Sequence, residues 1–123
     1  MPEFLAEGTA INDLIRPQRV VIGTSSDAAF AVMCSLCQGS DDEEPVRVLR
    51  TSDTGSSELG KLMCNAMLAQ RVSAVNSVTA LCEMTPGCDI REVKEIVASE
   101  SRIGGKYLQC SPGFGGSCFE KDL

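Results

Sequence analysis

A glycine-rich loop that ends in a cysteine is the stretch of this sequence best suited to chemistry. Residues 113–122 read GFGGSCFEKD, with three glycines in the first four positions, then Cys118, then Lys121 and Asp122. Glycines let a backbone approach a ligand closely, and a thiolate is available near neutral pH when a cation or a helix N-terminus lowers its pKa. The loop therefore predicts a ligand held beside a nucleophilic thiol. Taken alone, such a cysteine is more often a small buried hydrophobic residue.

The first half of the chain has the local signals of an α/β layer. The predicted elements, in chain order, are a short helix over 6–14, a strand over 19–23, a helix over 28–37 capped within 24–27, and a strand over 46–51. Glu3 and Glu7 share a face if the first helix extends to them. Residues 41–44 are acidic and predict a solvated loop. Strand, helix and strand in this order are typical of the end of an α/β layer.

One long helix dominates the second half. Apolar residues keep helical spacing from Ser56 or Ser57, either of which serves as N-cap, until Pro86 and Gly87 stop the pattern. This predicts a helix of about 28 residues, about 42 Å long. Because the helix is apolar over most of its circumference, 123 residues alone cannot cover it. We therefore expect a neighbour, most simply a second copy of the chain.

A second helix follows the Pro-Gly stop. Asp89 and Glu92 form a capping box for a helix that ends near Ala98. The sequence thus divides into an α/β part over residues 1–54 and a helical part over residues 55–123.

Composition excludes several classes of function. The net charge is −6, the pI is about 4.6, and the basic residues are scattered, which argues against a surface for nucleic acid or for anionic membranes. The sequence contains neither a run of about 18 apolar residues nor a signal-peptide pattern, so we expect no membrane span and no export. Seven cysteines in an irregular, odd set favour free thiols in the cytoplasm.

Cys34 and Cys37 form a CxxC motif, the spacing used by zinc knuckles and redox proteins. Zinc would require two more ligands, and the nearest spaced pair, Cys82 and Cys88, has five residues between its members. The sequence contains no histidine. We therefore interpret the motif as packing within an apolar helix and predict no metal site.

Three blocks occur in a fixed order along the chain. They are PEFLAEGTAI at 2–11, SSELGKLMCNAMLAQR at 56–71 and GFGGSCFEKD at 113–122, with SRIG at 101–104 before the last. Together they resemble the UDP-glucose 6-dehydrogenases of the UDP-glucose/GDP-mannose dehydrogenase family, over the whole chain but only the middle of the family's length. The resemblance implies the C-terminal end of a Rossmann-like NAD-binding domain, followed by an all-α dimerisation domain with one long helix.

The activity that the resemblance implies is oxidation of UDP-glucose to UDP-glucuronate with two NAD molecules in succession. Cys118 matches the nucleophile, which would capture the aldehyde as a thiohemiacetal and then carry a thioester. Lys61 and Asn65, one helical turn apart, match a pair that stabilises the oxyanion on the reacting carbon. Glu3 matches a carboxylate that acts through water on the thioester, and Asp122 matches an aspartate that assists Lys61 in deprotonating the alcohol.

The resemblance also implies which residues bind the substrate and the cofactor. Those matched to UDP-glucose contacts are Phe4, Leu5, Ala6, Glu7, Lys61, Asn65, Arg102, Gln109, Cys110, Ser111, Pro112, Gly113, Phe114 and Gly115. Those matched to NAD contacts are Glu7, Cys118, Phe119, Glu120 and Lys121. Arg102 resembles an arginine that reaches the substrate across the dimer interface. Gln109 stands where animal relatives have Lys, Pro112 replaces a small apolar residue, and Glu120 replaces Gln.

One motif of the family is absent from the sequence. No GxGxxG occurs in the 123 residues, although this motif seats the NAD pyrophosphate on a helix N-terminus. We therefore expect the chain to be a central segment of a longer enzyme and to be inactive alone. Two alternatives remain open, a dehydrogenase for another nucleotide sugar and a non-catalytic oligomerisation module that pairs with a full-length paralogue.

Overall fold

The computed structural model describes residues 1–37 and 45–112 in two compact units, Met1–Met63 and Cys64–Leu123. Its elements are α1 (Ala10–Ile15), β1 (Val20–Gly23), α2 (Asp27–Cys37), β2 (Val48–Thr51), α3 (Thr54–Met84) and α4 (Ile90–Ser99). The predicted acidic loop at 41–44 lies outside the described residues, and so do Gly113 to Gly115 and Cys118 to Asp122.

The first unit contains the predicted strand, helix and strand. The two strands pair in parallel, with Val20 opposite Val48 and Gly23 opposite Thr51. Parallel neighbours require a crossover, which α2 provides while packing against β1. The β-branched residues Val20, Val21 and Ile22 of β1 are buried and form the core of this unit. The α/β layer predicted from the sequence is confirmed.

The first helix is shorter than the sequence predicted. It was expected over residues 6–14, but α1 begins at Ala10. Gly8 adopts a φ of +85°, a left-handed conformation in which a right-handed helix does not continue. Glu3 and Glu7 therefore lie outside α1, so the condition under which they would share a helix face is not met.

The long helix was predicted correctly in position, but its cap is another residue. α3 has 31 residues, about 46 Å, and ends two residues before Pro86, with Gly87 at a φ of +78°. Asp53 Oδ1, rather than Ser56 or Ser57, accepts the hydrogen bond of the first turn, from the Ser56 N–H at 2.9 Å. Ser57 is only 2% exposed, and its hydroxyl donates to the Thr54 carbonyl at 2.8 Å instead. The expected serine cap is thus corrected to Asp53.

The role of Asp53 as the N-cap of α3 can be tested by substitution. Replacing Asp53 by alanine is expected to lower the free energy of unfolding by about 1 kcal/mol, because the Ser56 N–H loses its acceptor. Ser56→Ala keeps that bond and is expected to stay within about 0.5 kcal/mol of the parent. Urea unfolding followed by circular dichroism measures both, and a larger loss for Ser56→Ala than for Asp53→Ala would reassign the cap.

The second unit continues α3 and adds α4 and an irregular segment over residues 100–112. Asp89 caps α4, but its carboxylate accepts from the Arg91 N–H rather than from the Glu92 N–H of the predicted capping box. Tyr107 has a φ of +60°, and the next residue, Leu108, is buried. This left-handed turn, unfavourable for a side chain with a Cβ, directs Leu108 into the small core of the unit.

Candidate functional site

The N-terminal segment of the first unit is ordered by two contacts. The Arg19 guanidinium lies over the Phe4 ring, 4.3 Å from its centroid. Asp13 Oδ2 accepts hydrogen bonds from the Ala6 N–H at 2.9 Å and from the Thr9 hydroxyl at 2.8 Å. The predicted site residues Glu3, Leu5, Ala6 and Glu7 are exposed. These contacts fix the backbone of the segment while leaving both glutamate carboxylates accessible to a ligand.

Lys61 and Asn65 both lie within α3, as the sequence predicted, and both are half-buried. They are four residues apart in the chain, which is the spacing of neighbours on one helix face. Lys61 belongs to the first unit and Asn65 to the second. Their helical setting is confirmed, and their assignment to an oxyanion stays a prediction.

A groove of about 440 Å³ in the second unit contains three predicted substrate residues. It is lined by Asn76, Thr79, Ala80, Glu83, Cys110, Ser111 and Pro112. The Ser111 N–H donates to Asn76 Oδ1 at 3.0 Å, which fastens the irregular segment to α3. The four α3 residues were not predicted as site residues. Their positions i, i+3, i+4 and i+7 mark one helix face, and that spacing is the signal that could have identified them.

Arg102, predicted to bind substrate, is exposed and pairs with a carboxylate of its own chain. Its Nε and Nη2 donate to the two oxygens of Glu100 at 3.0 and 2.9 Å. The Arg102 side chain holds the pKa of Glu100 below its ordinary value, aided by the Arg102 N–H. The pair is bidentate but open to solvent, with 86% of the Arg102 side chain and 39% of the Glu100 side chain exposed.

Arg71 is a positioning residue that sequence reasoning missed. Its Nη1 donates to the Ile103 carbonyl at 3.0 Å, and its Nη2 donates to the Gly104 carbonyl at 2.7 Å. The planar guanidinium thereby ties α3 to the segment that follows Arg102. Arg71 belongs to the SSELGKLMCNAMLAQR block, but no local pattern identifies distant carbonyls as the partners of an arginine.

Loss of this fork is expected to loosen the segment that carries Arg102. Arg71→Gln should lower the free energy of unfolding by about 1–2 kcal/mol, because the fork to the Ile103 and Gly104 carbonyls is lost. It should also speed proteolysis within residues 100–112. Arg91→Gln is the matched control, because Arg91 pairs only with its neighbour Asp89 among the described residues and its loss should leave both readouts nearly unchanged. Equal sensitivity of the two variants would contradict this role for Arg71.

Within residues 1–37 and 45–112, no group of three or more Cys, Asp or Glu side chains is placed to hold a metal ion. In the same residues, none of the helices combines the length and apolar character that crossing a bilayer requires.

Family models match both parts of the sequence. Residues 55–123 match the central domain of the UDP-glucose/GDP-mannose dehydrogenase family. Residues 1–39 match the NAD binding domain of the same family.

Individual relatives cover almost the whole chain. It is 50% identical over 123 residues to the UDP-glucose 6-dehydrogenases of Gallus gallus and Caenorhabditis elegans, and 51% identical to UDP-glucose 6-dehydrogenase 1 of Oryza sativa. Each match includes 99% of this chain but 25% of the relative, so the chain spans about a quarter of the length of these curated relatives. Among solved structures, a UDP-glucose dehydrogenase from the hyperthermophilic archaeon Pyrobaculum islandicum is similar, with a TM-score of 0.82 and 36% identity. That match covers 98% of this chain and 27% of the solved chain.

Proposed function

This chain belongs to the UDP-glucose/GDP-mannose dehydrogenase family, and we propose from this that it carries the catalytic side chains of an enzyme that oxidises UDP-glucose to UDP-glucuronate with NAD. The observation that supports this most is the identity of half its residues to UDP-glucose 6-dehydrogenases along almost its full length. Because those relatives are about four times longer, the proposal concerns a longer enzyme of which these residues form the centre. The 123 residues alone should be inactive.

Cys118 is the proposed nucleophile of the reaction. Its thiolate adds to the aldehyde formed by the first oxidation, giving a thiohemiacetal whose carbon still carries the hydrogen removed in the second oxidation. The resulting thioester is hydrolysed by water to the carboxylate. Covalent capture suits this sequence of steps because it retains a reactive aldehyde between two oxidations.

Lys61 and Asn65 are proposed to stabilise the oxygen on the reacting carbon. Their positions four residues apart in α3 support this role, because an ammonium and an amide at that spacing can donate to the same oxygen as negative charge develops on it. Asp122 would hold Lys61 and a water in place for deprotonation of the alcohol. Glu3, exposed in the first unit, would assist the water that attacks the thioester.

Residues of the second unit are proposed to bind part of the substrate, and Glu7 of the first unit is proposed to contact the cofactor. The groove at Cys110, Ser111 and Pro112 is a concave surface suited to part of the nucleotide sugar. Residues 113 to 115, which are also predicted to bind the substrate, come next in the sequence. NAD supplies the hydride acceptor when bound. The exposed Glu7 carboxylate in a parallel α/β unit fits a contact with its nicotinamide end. Since the sequence lacks GxGxxG, the pyrophosphate would be held by other parts of the enzyme.

We further propose that residues 55–123 form a dimerisation domain and residues 1–54 the end of the NAD-binding domain. On α3, Leu59, Leu62 and Met63 of the first unit are exposed, with 66%, 43% and 55% of their surface accessible. Their spacing of three and four residues puts them on one helix face. An apolar helix face of this kind is normally covered, and a second copy of α3 would cover it symmetrically.

A chimera tests the proposal. Residues 1–123 would replace the matching quarter of the Gallus gallus UDP-glucose 6-dehydrogenase, and NADH formation would be followed with UDP-glucose and NAD. We expect turnover with two NADH per sugar oxidised, and none from the isolated chain. A chimera that matches its parent in size and circular dichroism but does not turn over would refute the catalytic assignment. Turnover with another nucleotide sugar in preference to UDP-glucose would refute the substrate assignment.

The exposed apolar face of α3 also favours a second function, a non-catalytic module that pairs with a full-length paralogue. In that case the isolated chain would co-purify with the paralogue, and the chimera would be inactive. A monomeric isolated chain in sizing experiments would count against it.

A further inference from the structure

Two thiols meet at the turn between α3 and α4. Cys82 lies in the last turn of α3, and Cys88 directly precedes Asp89, the N-cap of α4. Their sulfur atoms share a hydrogen bond of 2.8 Å, within about 1 Å of the length of a disulfide bond. Both residues are free cysteines. We propose that Cys82 and Cys88 are a redox-sensitive pair, which a low-molecular-weight disulfide converts into an intramolecular disulfide.

The backbone of the turn holds the two cysteines in this position. The Thr85 N–H donates to the Cys82 carbonyl at 3.0 Å, and the Cys88 N–H donates to the Thr85 carbonyl at 3.1 Å. The Thr85 hydroxyl is bonded as well, to the Leu81 carbonyl at 2.8 Å. These two hydrogen bonds meet at Thr85. They bring Cys82 and Cys88 together although the two residues are six positions apart in the sequence. Little backbone movement is needed before the sulfur atoms can join.

The CxxC motif provides an internal comparison. Cys34 and Cys37 are closer in sequence and have the spacing expected of a redox pair. Within α2, however, the hydrogen bond described for Cys37 runs to Met1 Sδ at 3.9 Å. The three-dimensional structure thus favours Cys82 and Cys88 as the redox pair, although their spacing in the sequence matches no redox motif.

Access to the pair is from one side and differs between the two thiols. Cys82 is 8% exposed, whereas Cys88 is half-exposed. Both line an opening of about 270 Å³, together with Thr79, Glu83, Asp89 and Ile90. A small reagent therefore meets Cys88 first. The Glu83 carboxylate at the opening favours a reagent with positive charge, while the Asp89 carboxylate is already paired with Arg91.

The order of the reaction follows from this difference. The Cys88 thiolate attacks one sulfur of the small disulfide, a mixed disulfide forms, and the first small thiol leaves as a thiolate that takes up a proton. Cys82 then loses its proton to solvent, and its sulfur attacks the Cys88 sulfur and expels the second small thiol. Two protein thiols are oxidised by two electrons, one small disulfide is reduced to two thiols, and both protons end on the released thiols.

Acid–base chemistry supports this order. Hydrogen bonding with Cys88, then burial, then nearby negative charge raise the pKa of Cys82 to about 11. Cys82 is therefore a thiol, and a poor first nucleophile, while Cys88 is free. Once Cys88 is in a mixed disulfide, it is no longer a thiol, so its hydrogen bond with the Cys82 thiol is lost and with it the largest cause of the raised pKa of Cys82. Modification of Cys88 thus activates Cys82 for the second step.

The test uses the full 123-residue chain and cystamine, a small cationic disulfide. After acid quenching, free thiols are alkylated, and peptides are mapped by mass spectrometry. We expect a peptide pair joined through Cys82 and Cys88, lighter by two hydrogens than the reduced form and restored by dithiothreitol. Alkylation at both positions should fall in parallel. Cys110 is an exposed thiol in the same unit, and Cys110→Ser is therefore the matched control. This variant should leave the cross-link between Cys82 and Cys88 unchanged.

Two variants separate the steps. Cys82→Ser should accumulate a stable cysteamine adduct on Cys88, because the second thiol is missing. Cys88→Ser should leave Cys82 fully alkylatable. A lasting adduct on Cys88 in the unmodified chain, or a Cys82 that remains alkylatable while other thiols react, would overturn the proposal. So would cross-linking of Cys82 mainly to a cysteine other than Cys88.

Discussion

Replacing Gly23 by alanine is expected to destabilise the first unit by about 3 kcal/mol. A Cβ at this position would lie 2.5 Å from the Asp53 carbonyl oxygen, 2.6 Å from Ser57 Oγ and 2.9 Å from Thr54 Cα. Two of these three atoms are backbone, so the clash cannot be relieved by rotating a side chain. The end of β1 and the first turn of α3 would have to separate, exposing the 2% accessible Ser57.

Gly60→Ala in the same unit is the matched control. A Cβ there meets nothing within 4 Å, and Gly60 lies inside α3. The same substitution should therefore stabilise the chain by roughly 0.5–1 kcal/mol, because alanine loses less backbone entropy in a helix. Urea unfolding measures both changes. Equal effects of the two substitutions would show that the contact of Gly23 with α3 is not a determinant of stability.

Cys118→Ala in the chimera is expected to reduce kcat by a factor on the order of 10³ or more, because no covalent intermediate can form. Substrate binding should change far less, since the loop backbone and the groove at Cys110 to Pro112 are retained. The readout is NADH formation at saturating UDP-glucose and NAD, with binding of UDP-glucose measured separately.

Cys34→Ala is the control for this variant. Cys34 lies on α2, outside the proposed site, and its replacement should leave kcat close to that of the parent chimera. A Cys118→Ala chimera that retains at least half of its kcat would remove the covalent mechanism from consideration. The family assignment would stand in that case, because it rests on the match over residues 55–123 rather than on one side chain.

Elements with strong local signals were predictable from the sequence. The β-branched run at Val20 to Ile22 forms β1, and Pro86 with Gly87 ends α3. These signals act over a few residues, within the reach of pattern reasoning.

Features decided by contacts between distant residues were not predictable. Asp53, Ser56 and Ser57 are all good N-cap residues, and the packing of Ser57 against Gly23 selects Asp53. The start of α1 is set by Gly8 and by Asp13 reaching back to Ala6. The N-cap of α3 and the start of α1 depend on tertiary contacts, which a short stretch of sequence does not contain.

Some residues of the candidate site were likewise predictable from the sequence, and others were not. The family resemblance predicted Lys61, Asn65 and the segment at Cys110 as site residues; the structure describes the first two within α3 and Cys110 in the groove beside it, and their roles stay predictions. Arg71 went unrecognised because its partners are backbone carbonyls more than 30 positions away. The groove residues of α3 have a helical spacing that could have identified them, but the contact of Arg71 with the segment after α4 is visible only in the folded structure.

The exposed leucines and methionine of α3 have a consequence for the amount of protein a cell must make. If copies pair through Leu59, Leu62 and Met63, folding and association are linked by mass action. Each tenfold increase in total protomer concentration above the dissociation constant then adds about 1.4 kcal/mol per dimer, or about 0.7 kcal/mol per protomer, to the apparent stability. Expression level thus becomes a stabilising factor in its own right, and dilution below the dissociation constant removes that contribution.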